Sequence, residues 1–238
     1  MITHPQPEPE VVDPHLERQR VQTARLVAYR DDGPLVTLLK PRLGRGLPPV
    51  PMALAALLAI VALAVTGSLT EGPILLAPAV VLTLLVLPTA SHNHLGRFDW
   101  LTPPLLRAAE FLTIILIGLA ADTPKWLLFV LLYIVGYHTY DTVYRTRQSI
   151  WPPAWIFQAG LGWEVRLLLL GAGAATGTLT WVAGALTLYL VVLFSVESVN
   201  SWVRLDKQSA LAVANAEQDL EASPEDAVEA ATGDAEPN

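Results

Sequence analysis

Residues 137–145, YHTYDTVYR, place ionisable and hydroxyl side chains directly after an apolar run typical of a membrane span. His138, Asp141 and Arg145 are separated by three, four and seven positions, so they share one face of a helix. Ionisable groups at membrane depth are costly and usually face a protein interior or a wet cavity. The stretch therefore predicts a polar site, in which Arg145 would bind an anion and His138 would shuttle a proton.

Other ionisable side chains stand near the ends of apolar segments and, with the topology predicted below, fall at the same depth. Arginine suits phosphate because its planar guanidinium donates paired hydrogen bonds. Carboxylates nearby would orient the arginines or hold a divalent cation, the only cofactor we consider. The predicted pocket for an anionic ligand consists of Arg107, Glu110, His138, Asp141, Arg145, Glu164 and Arg166.

The same charges also fit a purely structural interpretation, which the sequence leaves open. Arg107 and Glu110 are spaced to pair at i,i+3, and Asp141 and Arg145 at i,i+4. Such pairs would pin helices together without binding a ligand. No residue is therefore assigned a catalytic role.

The segment from His92 to Asp99 has two histidines and an aspartate at metal-like spacing, His92, His94 and Asp99. A structural zinc site needs four ligands, and no second pair stands nearby. We expect a solvated loop here and predict no metal site.

Six apolar segments predict an all-α membrane protein, a bundle of about six transmembrane helices. A span needs about 20 mainly apolar residues. The fifth and sixth segments are separated only by the turn residues 175–178, and one long tilted helix is the alternative. The membrane domain is predicted at 47–205, with spans at about 48–66, 73–91, 103–121, 124–145, 163–175 and 179–202.

Charge sets the expected orientation, because loops on the cytoplasmic side collect Lys and Arg. Seven basic residues precede position 46, and Arg97, Arg145, Arg147, Arg204 and Lys207 all fall on one side if six spans are counted. We therefore predict a multi-pass protein of the inner (plasma) membrane with both termini in the cytoplasm. The chain lacks a globally basic surface, so no nucleic-acid partner is expected.

The flanking segments are polar. Residues 1–14 are rich in Pro and Glu and are predicted to be disordered. Residues 15–46 form a basic juxtamembrane segment, in which 15–25 would make a short helix and Asp-Asp-Gly at 31–33 the turn of a short hairpin. Residues 206–238 hold eight acidic and no basic residues after Lys207, and are predicted to be a disordered tail, partly helical near 211–222.

Four stretches resemble an actinobacterial membrane domain of unknown function: YRDDGPL (29–35), GRFDWLTPPLLRAAEF (96–111), YHTYDTVYR (137–145) and GLGWEVRLLL (160–169). The resemblance covers about residues 25–200. In that family the domain often occurs fused to, or near, CDP-alcohol phosphatidyltransferase modules. It implies a role in phospholipid or polyprenyl-phosphate metabolism by association, and an enzyme of that type as a partner.

The chain itself lacks the signature of those enzymes, D-x2-D-G-x2-A-R-x8-G-x3-D-x3-D. Its one Asp-Asp-Gly precedes the first span and has no matching downstream Gly and Asp pair. The chain is therefore not assigned as an enzyme of that type, and the leading hypothesis is an accessory protein that binds membrane lipids by an anionic headgroup at the cytoplasmic face. The alternatives are a metal-dependent enzyme with Glu110, Asp141 and Glu164 as ligands, acting on a phosphorylated or nucleotide-linked lipid, and a small transporter.

Overall fold

The computed structural model describes the backbone of residues 13–232 and the side chains of residues 13–218. This part of the chain is helical and contains no strand. Its nine α-helices are α1 (Pro14–Arg30), α2 (Pro34–Leu39), α3 (Pro49–Val65), α4 (Ala77–Val86), α5 (Thr102–Ala120), α6 (Lys125–Arg147), α7 (Ala154–Ala159), α8 (Gly162–Ala175) and α9 (Leu179–Thr232). Short 3₁₀ turns flank α4 and precede α5.

The predicted hairpin before the first span is wrong, because two helices meet there. Asp13 caps α1 by accepting a hydrogen bond from the His15 amide at 2.8 Å. The helix then ends at Asp31, which adopts the left-handed conformation with φ 55°. Pro34 begins α2, where its missing N–H costs nothing. Asp-Asp-Gly-Pro therefore makes a helix–helix link, since the same residues that favour hairpin turns also favour helix ends.

Four helical segments are long and apolar enough to cross a membrane: Gly72–Thr89, Asp99–Ala120, Lys125–Arg147 and Leu179–Gln218. The remaining two predicted spans form shorter helices. Helix α3 has 17 residues and α8 has 14, and 14 residues rise about 21 Å against a hydrocarbon thickness of about 30 Å. The predicted break at 175–178 is present, because α8 ends at Ala175 and Gly177 takes a φ of 72° before α9 begins.

Helix α5 forms the centre of the membrane domain, where it packs against α3, α4, α6 and α8. Helix α3 turns Ala53, Ala56 and Ile60 inward, and each is fully buried. Small alanine side chains let neighbouring backbones approach closely. Helix α1 packs on α5 and α6, and α2 packs on α8, so the segment before the first span lies against the membrane helices.

The chain divides into two compact units, residues up to Leu193 and residues from Phe194. In the second unit α9 continues to Thr232, whereas a largely disordered tail was predicted for residues 206–238. The Ala and Glu residues that are frequent in 206–238 have high helix propensity, which accounts for the difference. Within this unit the Ser201 hydroxyl donates to Glu197 Oε1 at 2.7 Å. The predictions for residues 1–12 and 233–238 lie outside the described residues.

Candidate functional site

Asp31, at the end of α1, lies at the centre of a buried cluster of charges. Its Oδ2 is 2.6 Å from Arg166 Nη2 and 3.6 Å from Arg107 Nη2. Its Oδ1 is 3.5 Å from His138 Nε2. The Asp31 side chain is nearly inaccessible, so one carboxylate joins the α1–α2 link to α5, α6 and α8.

Glu110 provides a second carboxylate for the same two arginines. Its Oε2 accepts a short hydrogen bond from Arg107, and its Oε1 accepts one from Arg166 Nη2 at 2.9 Å. Arg166 Nη1 also donates to the Gly160 carbonyl at 3.1 Å, and Arg107 Nη2 to the Arg30 carbonyl at 2.8 Å. These contacts fix both guanidinium groups, since charged donors form the stronger hydrogen bonds.

Arg30 and Asp32 form the outer part of this network. Arg30 Nε lies 3.0 Å from Asp32 Oδ2, and Arg30 Nη1 donates to Thr89 Oγ1 at 2.9 Å. The Trp163 indole N–H donates to Asp32 Oδ1 at 2.9 Å. We call the whole set the Asp31 cluster: Arg30, Asp31, Asp32, Arg107, Glu110, His138 and Arg166. Its three arginines match its three carboxylates in charge.

The charge state of Asp31 follows from these neighbours. Burial by itself would raise the pKa of this carboxyl, because water no longer stabilises the anion. Arg166, His138 and Arg107 more than offset that effect and hold the pKa of Asp31 well below its usual range. Asp31 is therefore ionised at any physiological pH, and the arginines beside it counter its charge.

The link between α1 and α2 is held in place by backbone contacts with α8. Glu164 Oε2 accepts from the Gly33 amide and Oε1 from the Val36 amide, both at 3.2 Å, so Glu164 satisfies amides at the start of α2. A Cβ added at Gly33 would lie 2.5 Å from the Leu161 carbonyl oxygen. Only glycine permits this approach, which sets the position of Asp31 against Arg166.

Asp141 and Arg145 form an ion pair on α6. Arg145 Nη2 lies 2.5 Å from Asp141 Oδ2, and the Arg145 side chain is 1% exposed. Arg145 does not line the groove between α1, α5 and α6. The i,i+4 pair matches the structural interpretation of this spacing.

A groove of about 670 Å³ opens between α1, α5 and α6. Its walls are mainly apolar and aromatic, with two arginines among them. Arg107 is one of them, and its Nε is buried without a hydrogen-bond partner among the described residues. Arg147 is exposed at the end of α6 and enters none of the ion pairs of residues 13–218. The lining includes Tyr29, Trp100, Arg107, Phe111, Gly136 and Arg147.

The structure divides the seven predicted pocket residues among three arrangements. Four belong to the Asp31 cluster, two form the pair on α6, and Glu164 caps α2; of the seven, only Arg107 also lines the groove. Within the described residues, no group of three or more His, Asp and Glu is placed to hold a metal ion. Glu110, Asp141 and Glu164 are thus not brought together as a cation site.

The roles of Asp31 and Asp32 in the cluster and of Arg147 in the groove were not predicted from the sequence. Asp31 and Asp32 were interpreted as a turn, and Arg147 served only to orient the protein in the membrane. A useful signal was present: YRDDGPL combines a basic residue, two acids and a helix-starting proline in seven positions. Spacing within α6 could not reveal that Arg147 is exposed and Arg145 is buried, because that difference depends on the packing of α1 and α5.

His94 departs from the solvated loop expected for residues 92–99. Its side chain is 3% exposed, and neither ring nitrogen has a hydrogen-bond partner among the described residues. Burial, with the positive charge of Arg30, lowers the pKa of His94 to about 4, although Asp99 and Asp32 act in the opposite direction. His94 is therefore neutral at physiological pH.

The chain matches a model of a protein family. Residues 20–219 match the family of unknown function DUF5941, which covers all the elements described above from within α1 into α9. No curated protein and no solved structure matches the chain.

Proposed function

The chain belongs to DUF5941, a family of unknown function, and we propose that it is a multi-span membrane protein that binds the anionic headgroup of a lipid in the groove between α1, α5 and α6. The observation that carries this proposal is the pairing of two arginines with apolar and aromatic walls in one cavity. The phosphate of a lipid would lie at Arg147, because one planar guanidinium donates two hydrogen bonds to phosphate oxygens.

The two arginines differ in what they offer an anion. Arg107 is already bound to Glu110 and to the Arg30 carbonyl, and its remaining Nε is buried, so its guanidinium offers an anion little. Arg147 has no acidic partner in residues 13–218 and is exposed. Arg147 therefore supplies most of the charge selectivity of the groove for anions.

The proposal includes the orientation inferred from charge. Six spans with both termini in the cytoplasm put the Arg147 end of α6 at the cytoplasmic face of the inner membrane. Helices α3 and α8 are short for this role and would require local thinning of the bilayer. The protein would act as an accessory to phospholipid or polyprenyl-phosphate metabolism. The resemblance described above implies a CDP-alcohol phosphatidyltransferase-type enzyme as its partner.

Single cysteines test this orientation cleanly, because the chain has none of its own. Membrane-impermeant maleimide applied to intact cells should label Ser68→Cys and Asp122→Cys, in loops assigned to the outside. It should label Ser149→Cys only after the cells are opened. Labelling of Ser149→Cys in intact cells would reverse the orientation and place the groove on the other face.

Lipid binding is tested by native mass spectrometry of the detergent-purified full chain. We expect dioleoyl phosphatidate to bind in preference to dioleoyl phosphatidylcholine. Arg147→Gln should weaken phosphatidate binding about tenfold, the value of one hydrogen bond to a charged group. Arg45→Gln, which removes another exposed arginine, is the matched control and should bind like wild type. Equal binding of the two lipids, or equal effects of the two variants, would disprove the proposal.

A further inference from the structure

The α6 wall of the groove has a charged residue at one end and uncharged residues along the rest of its length. Arg147 stands at the rim, and Gly136 lies at the other end of the α6 wall, facing Phe111 of α5. The two α6 residues are eleven positions apart, which corresponds to about 16 Å along a helix. Half the hydrocarbon thickness of a bilayer is about 15 Å. The groove thus has the length of one leaflet.

Gly136 leaves the inner end of the groove open. A Cβ added there would meet only the Phe111 ring, at 3.9 Å, which is an ordinary contact distance. The other glycines on packed helices differ: a Cβ at Gly118 would lie 2.5 Å from Leu128, and one at Gly171 would lie 2.9 Å from Leu76. Helix packing therefore does not require glycine at position 136, and its absent side chain extends the groove.

We propose that this groove binds the hydrocarbon chain of a phosphorylated lipid as well as its headgroup, with the chain running along α6 from Arg147 to Gly136. This rests on the proposed function and adds the ligand class, a long-chain lipid phosphate. A cavity of about 670 Å³ is within the range of small-molecule sites, ~300–1,000 Å³. The exposed Arg147 would hold the phosphate at the rim, and the chain would pass Arg107, whose charge is countered by Glu110, on its way to Gly136.

Aromatic side chains support a chain in preference to a second charged group. Phe111 on α5, Tyr140 on α6 and Trp100 in the turn before α5 all line the groove. Dispersion contacts with such surfaces are individually weak but accumulate along a chain. A short-chain phosphate would make the rim contacts alone, so affinity should rise with chain length until the chain reaches Gly136.

The test compares chain lengths in one variant that fills the groove. Gly136→Leu places a side chain inside it, and Gly184→Leu is the control, because a Cβ at Gly184 on α9 meets no atom within 4 Å. Native mass spectrometry of the full chain would measure dioleoyl phosphatidate, dihexanoyl phosphatidate and a polyprenyl monophosphate. Wild type and Gly184→Leu should bind dioleoyl phosphatidate about tenfold more tightly than dihexanoyl phosphatidate, and Gly136→Leu should bind both alike.

Each result decides a different point. Preference of one long-chain probe over the other identifies the source as a glycerolipid or a polyprenyl lipid. Equal affinity for long and short chains, with the phosphate preference retained, overturns the chain site but leaves the proposed function. Loss of phosphate preference for every probe overturns both. A change in dimer content in Gly136→Leu with no change in lipid binding shows that a second copy covers the groove, and overturns the inference.

Discussion

The Asp31 cluster and the groove share Arg107 but differ in how their charges are paired and exposed. In the cluster, three arginines face three carboxylates, and Asp31 and Arg166 are almost completely buried. In the groove, Arg147 is exposed and has no acidic partner in residues 13–218. Buried pairs lose most of their Coulomb gain to desolvation, yet removing one partner is costly. The contrast supports the proposals that the cluster holds the helices together and that the groove binds the ligand.

The largest expected effect is in the cluster. Asp31→Asn would leave Arg166 and Arg107 with excess buried positive charge, and should lower the free energy of unfolding by about 3–5 kcal/mol. Chemical unfolding in mixed micelles would measure it. Asp122→Asn is the matched control, because Asp122 is also left-handed, with φ 51°, but exposed. If the two variants unfold alike, the cluster does not hold the helices.

Acid should destabilise the folded protein through His94, which is buried near Arg30 and Asp32 of the Asp31 cluster. His94 is neutral when folded, with a pKa of about 4 against 6.5 when unfolded. Below pH 6.5 the unfolded chain binds a proton that the folded chain does not. The free energy of unfolding should therefore fall by about 2–3 kcal/mol between pH 6.5 and 4, then level off for this group.

Substitution isolates this effect from the titration of carboxylates. Subtracting the pH profile of His94→Gln from that of wild type should recover the loss. His92→Gln, in the same loop, controls for removal of an imidazole. A wild-type profile that superimposes on that of His94→Gln would contradict the assigned role.

Alanine substitutions at Gly33 and Gly136 compare the two regions through a smaller change in the free energy of unfolding. Gly33→Ala would push a methyl group against the Leu161 carbonyl and Gly162 amide, and overpacking of this kind costs about 1–3 kcal/mol. Gly136→Ala places the same methyl group in the open groove, where the higher helix propensity of alanine should leave stability equal or slightly greater. Unfolding of both variants in the same micelles measures the difference. A larger loss at Gly136 would mean that the groove is closely packed.

The sequence predicted the helices better than it predicted the site. Apolar segments predicted the four helices that are long enough to cross a membrane, and the turn at 175–178 is present, because these features are local. The Asp31 cluster joins positions more than 130 residues apart, as in the Arg166–Asp31 pair, and no spacing rule reports such a contact. The i,i+3 and i,i+4 pairs of Arg107 and Arg145 were visible because they lie within single helices.

The tail and the link before the first span were mispredicted for one physical reason. Asp-Gly pairs favour hairpins and helix ends alike, and Ala- and Glu-rich stretches favour solvation and helix alike. Composition does not decide between such alternatives. In the α1–α2 link, contacts with α8 decide it, through Glu164 and the close approach of Gly33 to Leu161.

The smallest effect on stability is expected for Arg147→Gln, which tests binding separately from folding. Arg147→Gln removes an exposed side chain without an acidic partner, so the free energy of unfolding should stay within about 0.5 kcal/mol of wild type. Arg166→Gln, which breaks contacts with Asp31 and Glu110, should destabilise the protein by several-fold more than that. Measuring unfolding and phosphatidate binding on the same preparations gives the decisive pattern. A folded Arg147→Gln protein with weakened binding separates the two regions, whereas a destabilised one would place Arg147 in the structural network with Arg166.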